Sequence, residues 1–180
     1  MSKNYKQQLI NCYGSSALNN CTGLASELIA LDFITSFARV ERTSRIDQFH
    51  EVDMYFSPFE DKYGYQSGKT YHCQCKGSLI YHTLNHWSIP FNQTGLGIER
   101  FLNSDFPILV TNTHVIRGWS SPFDGKILKV NTGLLKEGYD KSDKSSLVIP
   151  NDPKYLEVLT DLTEAQKIML RILSSSKYTQ

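Results

Sequence analysis

Two runs of this chain carry side chains whose types and spacing suit chemistry. Residues 70–77 read TYHCQCKG, and residues 50–56 read HEVDMYF. Aromatic and β-branched residues dominate both runs and turn-forming residues separate them, so both are predicted to be strands. Because side chains alternate along a strand, Gln74 and Lys76 of the later run share one face. Asp53 of the earlier run is the acid that this face could meet.

The segment between the two runs predicts a hairpin that turns at Tyr63 and Gly64. If the strands pair symmetrically about that turn, Asp53 lies directly opposite Gln74, with Cβ atoms about 5 Å apart. An acid, an amide oxygen and the ammonium of Lys76 would then converge on one patch. A shift of the register by one residue would destroy this arrangement, because it moves the side chains of one strand to the other face.

This constellation resembles the PD-(D/E)xK nuclease superfamily, in which an acid on one strand is followed by (E/Q)-x-K on the next. The matching residues are Asp53 and then Gln74-Cys75-Lys76, and Glu27 matches the glutamate that often lies on the preceding helix. Gln74 stands where most members have a carboxylate, although Mrr-like members are known to carry Q-x-K. The order of the elements also agrees with the core of the superfamily.

The resemblance implies an α/β fold with a restriction-endonuclease-like core, in which α-helices flank a central mixed β-sheet. It covers about residues 22–120 of a single nuclease-like domain that spans 1–180, with 121–180 as a C-terminal extension. A Q-x-K strand, a helical region around Trp87 and a strand at 107–110 also look like the small domains of prokaryotic defence systems.

The same resemblance implies a Mg²⁺-dependent endonuclease that hydrolyses phosphodiester bonds in anti-phage defence or restriction, with DNA favoured over RNA. Asp53, Gln74 and Glu27 would hold Mg²⁺ or Mn²⁺ through oxygen atoms. Lys76 would orient or help to deprotonate a metal-bound water and would stabilise negative charge on the phosphate. Asp47 is the alternative to Asp53 as the aspartate ligand.

Two other interpretations remain open. Gln74 would mark lost activity if the chain is a catalytically inactive nuclease-fold subunit that binds nucleic acid or acts as a scaffold. Alternatively, the Gln-x-Lys pattern occurs by chance in an unrelated α/β domain. Cys73 and Cys75 are predicted to be small buried residues of a central strand rather than zinc ligands.

Other segments give the elements that must position these residues. Thr22 can cap a helix that continues to residue 36, and five successive apolar residues predict a strand at 106–110 that is buried on both faces. Residues 136–146 are predicted to be loose. The remaining expected elements are a strand at 37–42, a helix at 95–102, a strand at 126–130, and helices at 153–159 and 162–173.

Composition limits the kind of partner. The 180 residues include 19 basic and 18 acidic side chains, giving a net charge of +1. This is not the strongly basic signature of a dedicated nucleic-acid binder, so we expect a homo-oligomer or a partner protein of a defence complex. The amino terminus lacks a signal-peptide pattern and no apolar run has the length of a membrane span. These features predict a cytoplasmic protein without a membrane partner.

Overall fold

The elements below are those of a computed structural model, which describes residues 16–42, 54–77, 81–82, 86–91, 96–112, 121–139 and 146–175. The helices in these ranges are α1 (Ser16–Thr35), α2 (Leu96–Asn103), α3 (Thr132–Gly138) and α4 (Glu164–Ser175). The strands are β1 (Ala38–Arg42), β2 (Met54–Pro58), β3 (Tyr71–Gly77), β4 (Tyr81–His82), β5 (His86–Pro90), β6 (Phe106–Val110), β7 (Lys126–Val130), β8 (Ser146–Pro150) and β9 (Leu156–Asp161).

The strands form a large mixed sheet and a small antiparallel one. The large sheet has six strands in the order β1-β2-β3-β6-β7-β9, and the small one has the order β4-β5-β8. β3 and β6 pair in parallel at the centre of the large sheet, and the other pairs are antiparallel. The prediction of an α/β protein with a central mixed sheet is therefore confirmed.

The β2–β3 hairpin has the predicted turn and the predicted register. Tyr63 and Gly64 have φ angles of 52° and 82°. Positive φ at both central residues is the geometry of the type I′ turn, whose twist suits an antiparallel pair. Met54 lies opposite Cys73 in the register that symmetric pairing predicts. Asp53 lies outside the described residues.

The six-stranded sheet has two distinct faces. We call one the α1 face, because Cys75 on it packs in one core with Ala25 and Ile29 of α1. The other, which carries Gln74 and Lys76, is called the Lys76 face, since side chains alternate along β3. The core on the α1 face also includes Ile34, Met54, Phe56, Cys73, Phe106, Ile108, Val110, Ile127 and Leu170 of α4.

β6 crosses the middle of the sheet and is buried along its whole length. Ile108 belongs to the core on the α1 face, and Leu109 belongs to a second core on the Lys76 face. The predicted strand with two buried faces is therefore confirmed. Pro107 fits into this central strand because pairing with β7 begins only at Ile108, so the missing N–H of the proline costs no bond to β7.

The small sheet covers only part of the Lys76 face. Trp87 and Ile89 of β5 and Phe101 of α2 pack with Leu109 and Leu128 in the second core. Among the described residues, this core takes no side chain from β1, β2 or β3. The strand β3 therefore runs along the border between a covered and an uncovered part of the sheet.

Expectations about four other segments need correction. The helix α1 begins at Ser16, so Thr22 lies inside it and does not cap it. Residues 153–155 form a turn and Leu156–Asp161 is the strand β9, where a helix was expected at 153–159. The stretch 136–146 was expected to be loose, but its first three residues belong to α3, and residues 140–145 lie outside the described residues. Trp87 lies in β5 and not in a helical region. β5 and β9 depend on partners that are distant in sequence, and such pairing overrides local preference.

Candidate functional site

The candidate site lies at the C-terminal end of β3. In open sheets, the carboxyl ends of parallel strands are the usual location of ligand sites. Lys76 is paired with Leu109 and Gly77 with Val110, so β3 and β6 end side by side. Gln74 in the middle of β3 and Lys76 near its end both lie on the Lys76 face, as the alternation in sequence predicts.

Gln74 is buried and its amide group is not fully satisfied. The residue is only 3% exposed, and its Nε2 atom has no hydrogen-bond partner in the described part of the chain. Leaving a buried N–H donor without a partner costs about 1–3 kcal/mol. Such a group in a folded protein requires an explanation, and one explanation is a ligand or substrate that completes its bonding.

Lys76 is half-buried and its ammonium lies over an aromatic ring. The Nζ atom is 4.8 Å from the centre of the ring of Phe91, which follows β5 directly in the chain. Within the described residues, no carboxylate forms an ion pair with Lys76. The ammonium therefore keeps donors that an anion can use.

The other side of β3 is closed by α1. The thiol of Cys75 donates a hydrogen bond to the carbonyl oxygen of Ser26 at 3.7 Å. A Cβ atom built on Gly77 would lie 1.9 Å from Ser26 Oγ, so only glycine fits there without movement of the helix. Glu27 is half-buried and follows Ser26 directly, which places it in the helix that covers the α1 face.

The structure therefore brings together part of the predicted site. Gln74 and Lys76 share a face, and the neighbouring β2 has the register that would pair Asp53 with Gln74. Asp53 and its alternative Asp47 both lie outside the described residues. Glu27 belongs to the helix on the α1 face, and its participation with Lys76 stays a prediction.

An open depression lies on the same face along β1 and β2, level with Thr70 and His72 at the N-terminal end of β3. Direct partners in an antiparallel pair point to the same face, so Glu41, Tyr55 and His72 share the Lys76 face. The depression has a volume of about 280 Å³. It is lined by Arg39, Glu41, Tyr55, Ser57 and Thr70. The uncovered part of the face thus offers polar groups next to the strand that carries Lys76.

At the opposite end of β3, partly exposed polar groups bond to one another. The backbone N–H of His72 donates to Asp105 Oδ2 at 3.0 Å, and the N–H of Asp105 donates to His72 Nδ1 at 3.2 Å. The hydroxyl of Tyr65 donates to the carbonyl oxygen of Asp105 at 2.7 Å. Burial raises the pKa of Tyr65 above its ordinary value, and the nearby Cys73 and Asp105 add to the shift.

Sequence reasoning did not find the contact between Phe91 and Lys76. Phe91 reaches Lys76 from the end of β5 in the other sheet, and no local periodicity links residues of two sheets.

Comparisons of this chain with protein-family models, curated proteins and solved structures found no match. In the described ranges, no helix is both long and apolar enough to cross a membrane. The same ranges contain no cluster of three or more His, Cys, Asp or Glu side chains that could hold a metal ion. A metal site here would therefore depend on oxygen atoms of other kinds or on residues outside these ranges.

Proposed function

We propose that this chain is a metal-dependent nuclease that hydrolyses phosphodiester bonds, with a restriction-endonuclease-like core. The observation that carries the proposal is the shared position of Gln74 and Lys76. The two side chains lie on one face of a central strand, and Lys76 lies near the end where a parallel neighbour also ends. The hairpin register that the nuclease pattern needs is supported by the pair Met54–Cys73.

The donor set suits a hard cation if Asp53 contributes. The amide oxygen of Gln74 is an oxygen ligand of the type that Mg²⁺ and Mn²⁺ accept, and its buried Nε2 lacks a described partner. Asp53 is the carboxylate assigned to the same ion. Glu27, the other predicted carboxylate, belongs to α1 on the opposite face of the sheet and would have to reach the ion around the end of β3. When bound, Mg²⁺ or Mn²⁺ would neutralise charge on a phosphate and lower the pKa of a water molecule.

Lys76 and Gln74 would act directly on the phosphate and on the attacking water. The Lys76 ammonium, which has no described carboxylate partner, would donate to a phosphate oxygen and stabilise the charge that develops there. It would also orient the attacking water. Gln74 would hold its Nε2–H toward a phosphate or water oxygen, which would satisfy the buried donor.

The open part of the Lys76 face would accommodate the proposed substrate. A nucleic-acid backbone along β1 and β2 would pass the exposed Arg39 and the polar Ser57 before it reaches Lys76. The proposed substrate is DNA rather than RNA, in anti-phage defence or restriction. Because the net charge is only +1, a second copy or a partner protein would supply further positive charge.

A second candidate is a nuclease-fold subunit that binds nucleic acid without cutting it. This candidate is favoured by Gln74 itself, because an amide has no negative charge with which to attract a cation. The described ranges also lack a cluster of three conventional metal-ligating side chains. Such a subunit would bind DNA in the same depression and would release it as salt rises.

The deciding experiment is cleavage of supercoiled plasmid by the full chain. The assay is run with Mg²⁺, with Mn²⁺ and with EDTA, and a single-stranded RNA serves as the second substrate. We expect nicked and linear plasmid only when metal is present, and no cleavage by Lys76→Ala. Retention of plasmid on the protein without cleavage under any metal condition would overturn the nuclease and support the binding subunit.

A further inference from the structure

We propose that Phe91 is a positioning residue that holds the Lys76 ammonium at the reacting phosphate. This inference rests on the proposed nuclease function, because it assigns a task to Lys76. The contact is direct: Lys76 Nζ lies 4.8 Å from the centre of the Phe91 ring. A cation within about 6 Å of a ring centre is attracted by the negative face of the ring.

The ring is itself held firmly. Phe91 is only 9% exposed and belongs to the second core. It makes an edge contact with Phe101 of α2, with ring centres 5.9 Å apart. Phe101 is fully buried. The position of the ring is therefore fixed by the packing of α2 and the small sheet.

Lysine gains more from such a support than most side chains would. Its stem has four rotatable bonds, and ordering it costs up to about 2 kcal/mol of side-chain entropy. A carboxylate partner would restrict the stem but would also occupy the donors. An aromatic face restricts the ammonium without using its N–H groups as conventional donors, so these groups remain able to bind an anion.

The arrangement also connects the site to the small sheet. Lys76 lies on β3 of the large sheet, whereas Phe91 follows β5 of the small one. Among the described residues, β3 contributes nothing to the second core, so this contact bridges the border between the covered and uncovered parts of the face. Displacement of the small sheet would move the ring and release the lysine.

The first test measures cleavage by ring variants at saturating metal. Phe91→Leu removes the ring and keeps an apolar side chain, and Phe91→Tyr restores the aromatic face. We expect Phe91→Leu to lower kcat by about 2- to 30-fold, the range that corresponds to a cation–π contact. KM for plasmid should stay unchanged, and Phe91→Tyr should recover most of the rate. Phe123→Leu is the matched control, because Phe123 is a buried member of the same core.

The second test does not depend on activity. In the full chain labelled with ¹³C-lysine, the signal of Lys76 is identified by its loss in Lys76→Arg. We expect this signal to be shifted by the ring current, to move to the position of exposed lysines in Phe91→Leu, and to remain shifted in Phe91→Tyr and Phe123→Leu.

The two tests separate two kinds of failure. If the wild type cleaves nothing but the Lys76 signal responds to the ring variants, the cation–π contact exists and the nuclease proposal is wrong. The positioning role is then wrong as well, because it depends on cleavage. If the wild type cleaves and the Lys76 signal does not change in Phe91→Leu, only the positioning role is overturned. Equal loss of rate in Phe91→Leu and Phe123→Leu, without rescue by Phe91→Tyr, would assign Phe91 a structural role only.

Discussion

The two ends of β3 contrast in how their polar groups are satisfied. At the N-terminal end, His72, Asp105 and Tyr65 bond to one another through side chains and backbone. From the middle of β3 to its C-terminal end, the buried Nε2 of Gln74 has no described partner and the Lys76 ammonium lies over an aromatic ring. Both ends lie on the same strand, in the same sheet, and differ only in what surrounds them.

The difference indicates which end contributes to stability and which end is available for binding. Natural proteins satisfy buried polar groups almost everywhere, and exceptions concentrate at functional sites. The buried Tyr65 follows the rule by bonding to Asp105, and the partly exposed His72 and Asp105 bond to each other beside it. The end around Gln74 departs from the rule, which is why we place the proposed chemistry there.

The largest effect expected from this contrast is the loss of cleavage in Lys76→Ala. Removing the ammonium takes away the charge that would stabilise the phosphate, and loss of one such donor lowers kcat by about 10²- to 10³-fold. Stability should change by no more than about 1 kcal/mol, because Lys76 is half-buried and forms no described ion pair. Plasmid cleavage and urea unfolding measure the two quantities.

Lys129→Ala is the control from the α1 face, with an ammonium that reaches the Tyr65 ring near the start of β3. The Lys129 ammonium lies 4.8 Å from the centre of the Tyr65 ring, so the environment of the lysine is similar. Cleavage by this variant should match wild type. If Lys129→Ala loses as much activity as Lys76→Ala, the two ends are not functionally different and the contrast is lost.

The next effect concerns the close contact at Gly77. A Cβ atom there would lie 1.9 Å from Ser26 Oγ and 2.2 Å from Ser26 Cβ, so Gly77→Ala must push α1 away from β3. Overpacking of this kind costs about 1–3 kcal/mol in the free energy of unfolding, measured by urea titration.

Gly23→Ala is the matched control for that substitution. A Cβ atom at Gly23 would have no neighbour within 4 Å, and the position is exposed in α1. Alanine is a better helix former than glycine by about 0.5–1 kcal/mol, so this variant should be slightly more stable than wild type. A stable Gly77→Ala variant would show that Ser26 does not press on the end of β3.

The parts of the fold that could be predicted are those fixed by local chemistry. The turn at Tyr63–Gly64 needs a glycine that accepts positive φ, and it sets the β2–β3 register by itself. β6 was recognisable because a run of five successive apolar residues suits a strand between two packed layers, and all five are buried in the structure. Gln74 and Lys76 could be placed on one face by simple alternation.

The parts that could not be predicted depend on distant partners. β9 has an exposed Glu157 and Val158 and becomes a strand through pairing with β7. α3 has glycine at two of its seven positions and reads as a loop, although Leu135 is buried against the second core. Phe91, which follows β5 of the small sheet, contacts Lys76 of the large sheet. No pattern within these segments encodes the partner, so sequence alone favoured other structures.

A smaller effect should follow from changing the charge at position 74. If Gln74 is a metal ligand, Gln74→Glu places a carboxylate near the cation, and attraction of about 1–2 kcal/mol corresponds to roughly 5- to 30-fold tighter binding. The magnesium concentration for half-maximal cleavage should therefore fall. Gln74→Ala removes the ligand and should raise that concentration.

Metal titrations of plasmid cleavage distinguish the alternatives for Gln74. Cleavage that appears only in Gln74→Glu would show that the wild-type chain is an inactive nuclease-fold subunit. Three identical titration curves would remove Gln74 from the metal site. Urea unfolding of both variants is measured alongside, because a carboxylate that is buried without a cation lowers stability.

The smallest expected effect is the change in stability of Tyr65→Phe, at the N-terminal end of β3. The hydroxyl of Tyr65 donates one hydrogen bond to Asp105, and Tyr65→Phe should lower the free energy of unfolding by about 1 kcal/mol at neutral pH. Cleavage at neutral pH should stay at the wild-type rate, because the change lies at the end of β3 away from Lys76.

The difference between wild type and Tyr65→Phe should then depend on alkaline pH. Burial raises the folded-state pKa of Tyr65, so the phenol stays protonated in the folded protein while the unfolded chain ionises near pH ~10. The contribution of Tyr65 to stability is complete below that pH and is lost as pH rises further. Urea unfolding at pH 7 to 11 should therefore show the two free energies converging above pH ~10. A constant difference across this range would mean that Tyr65 ionises equally in both states. Burial would then not raise the pKa of Tyr65 in the folded protein.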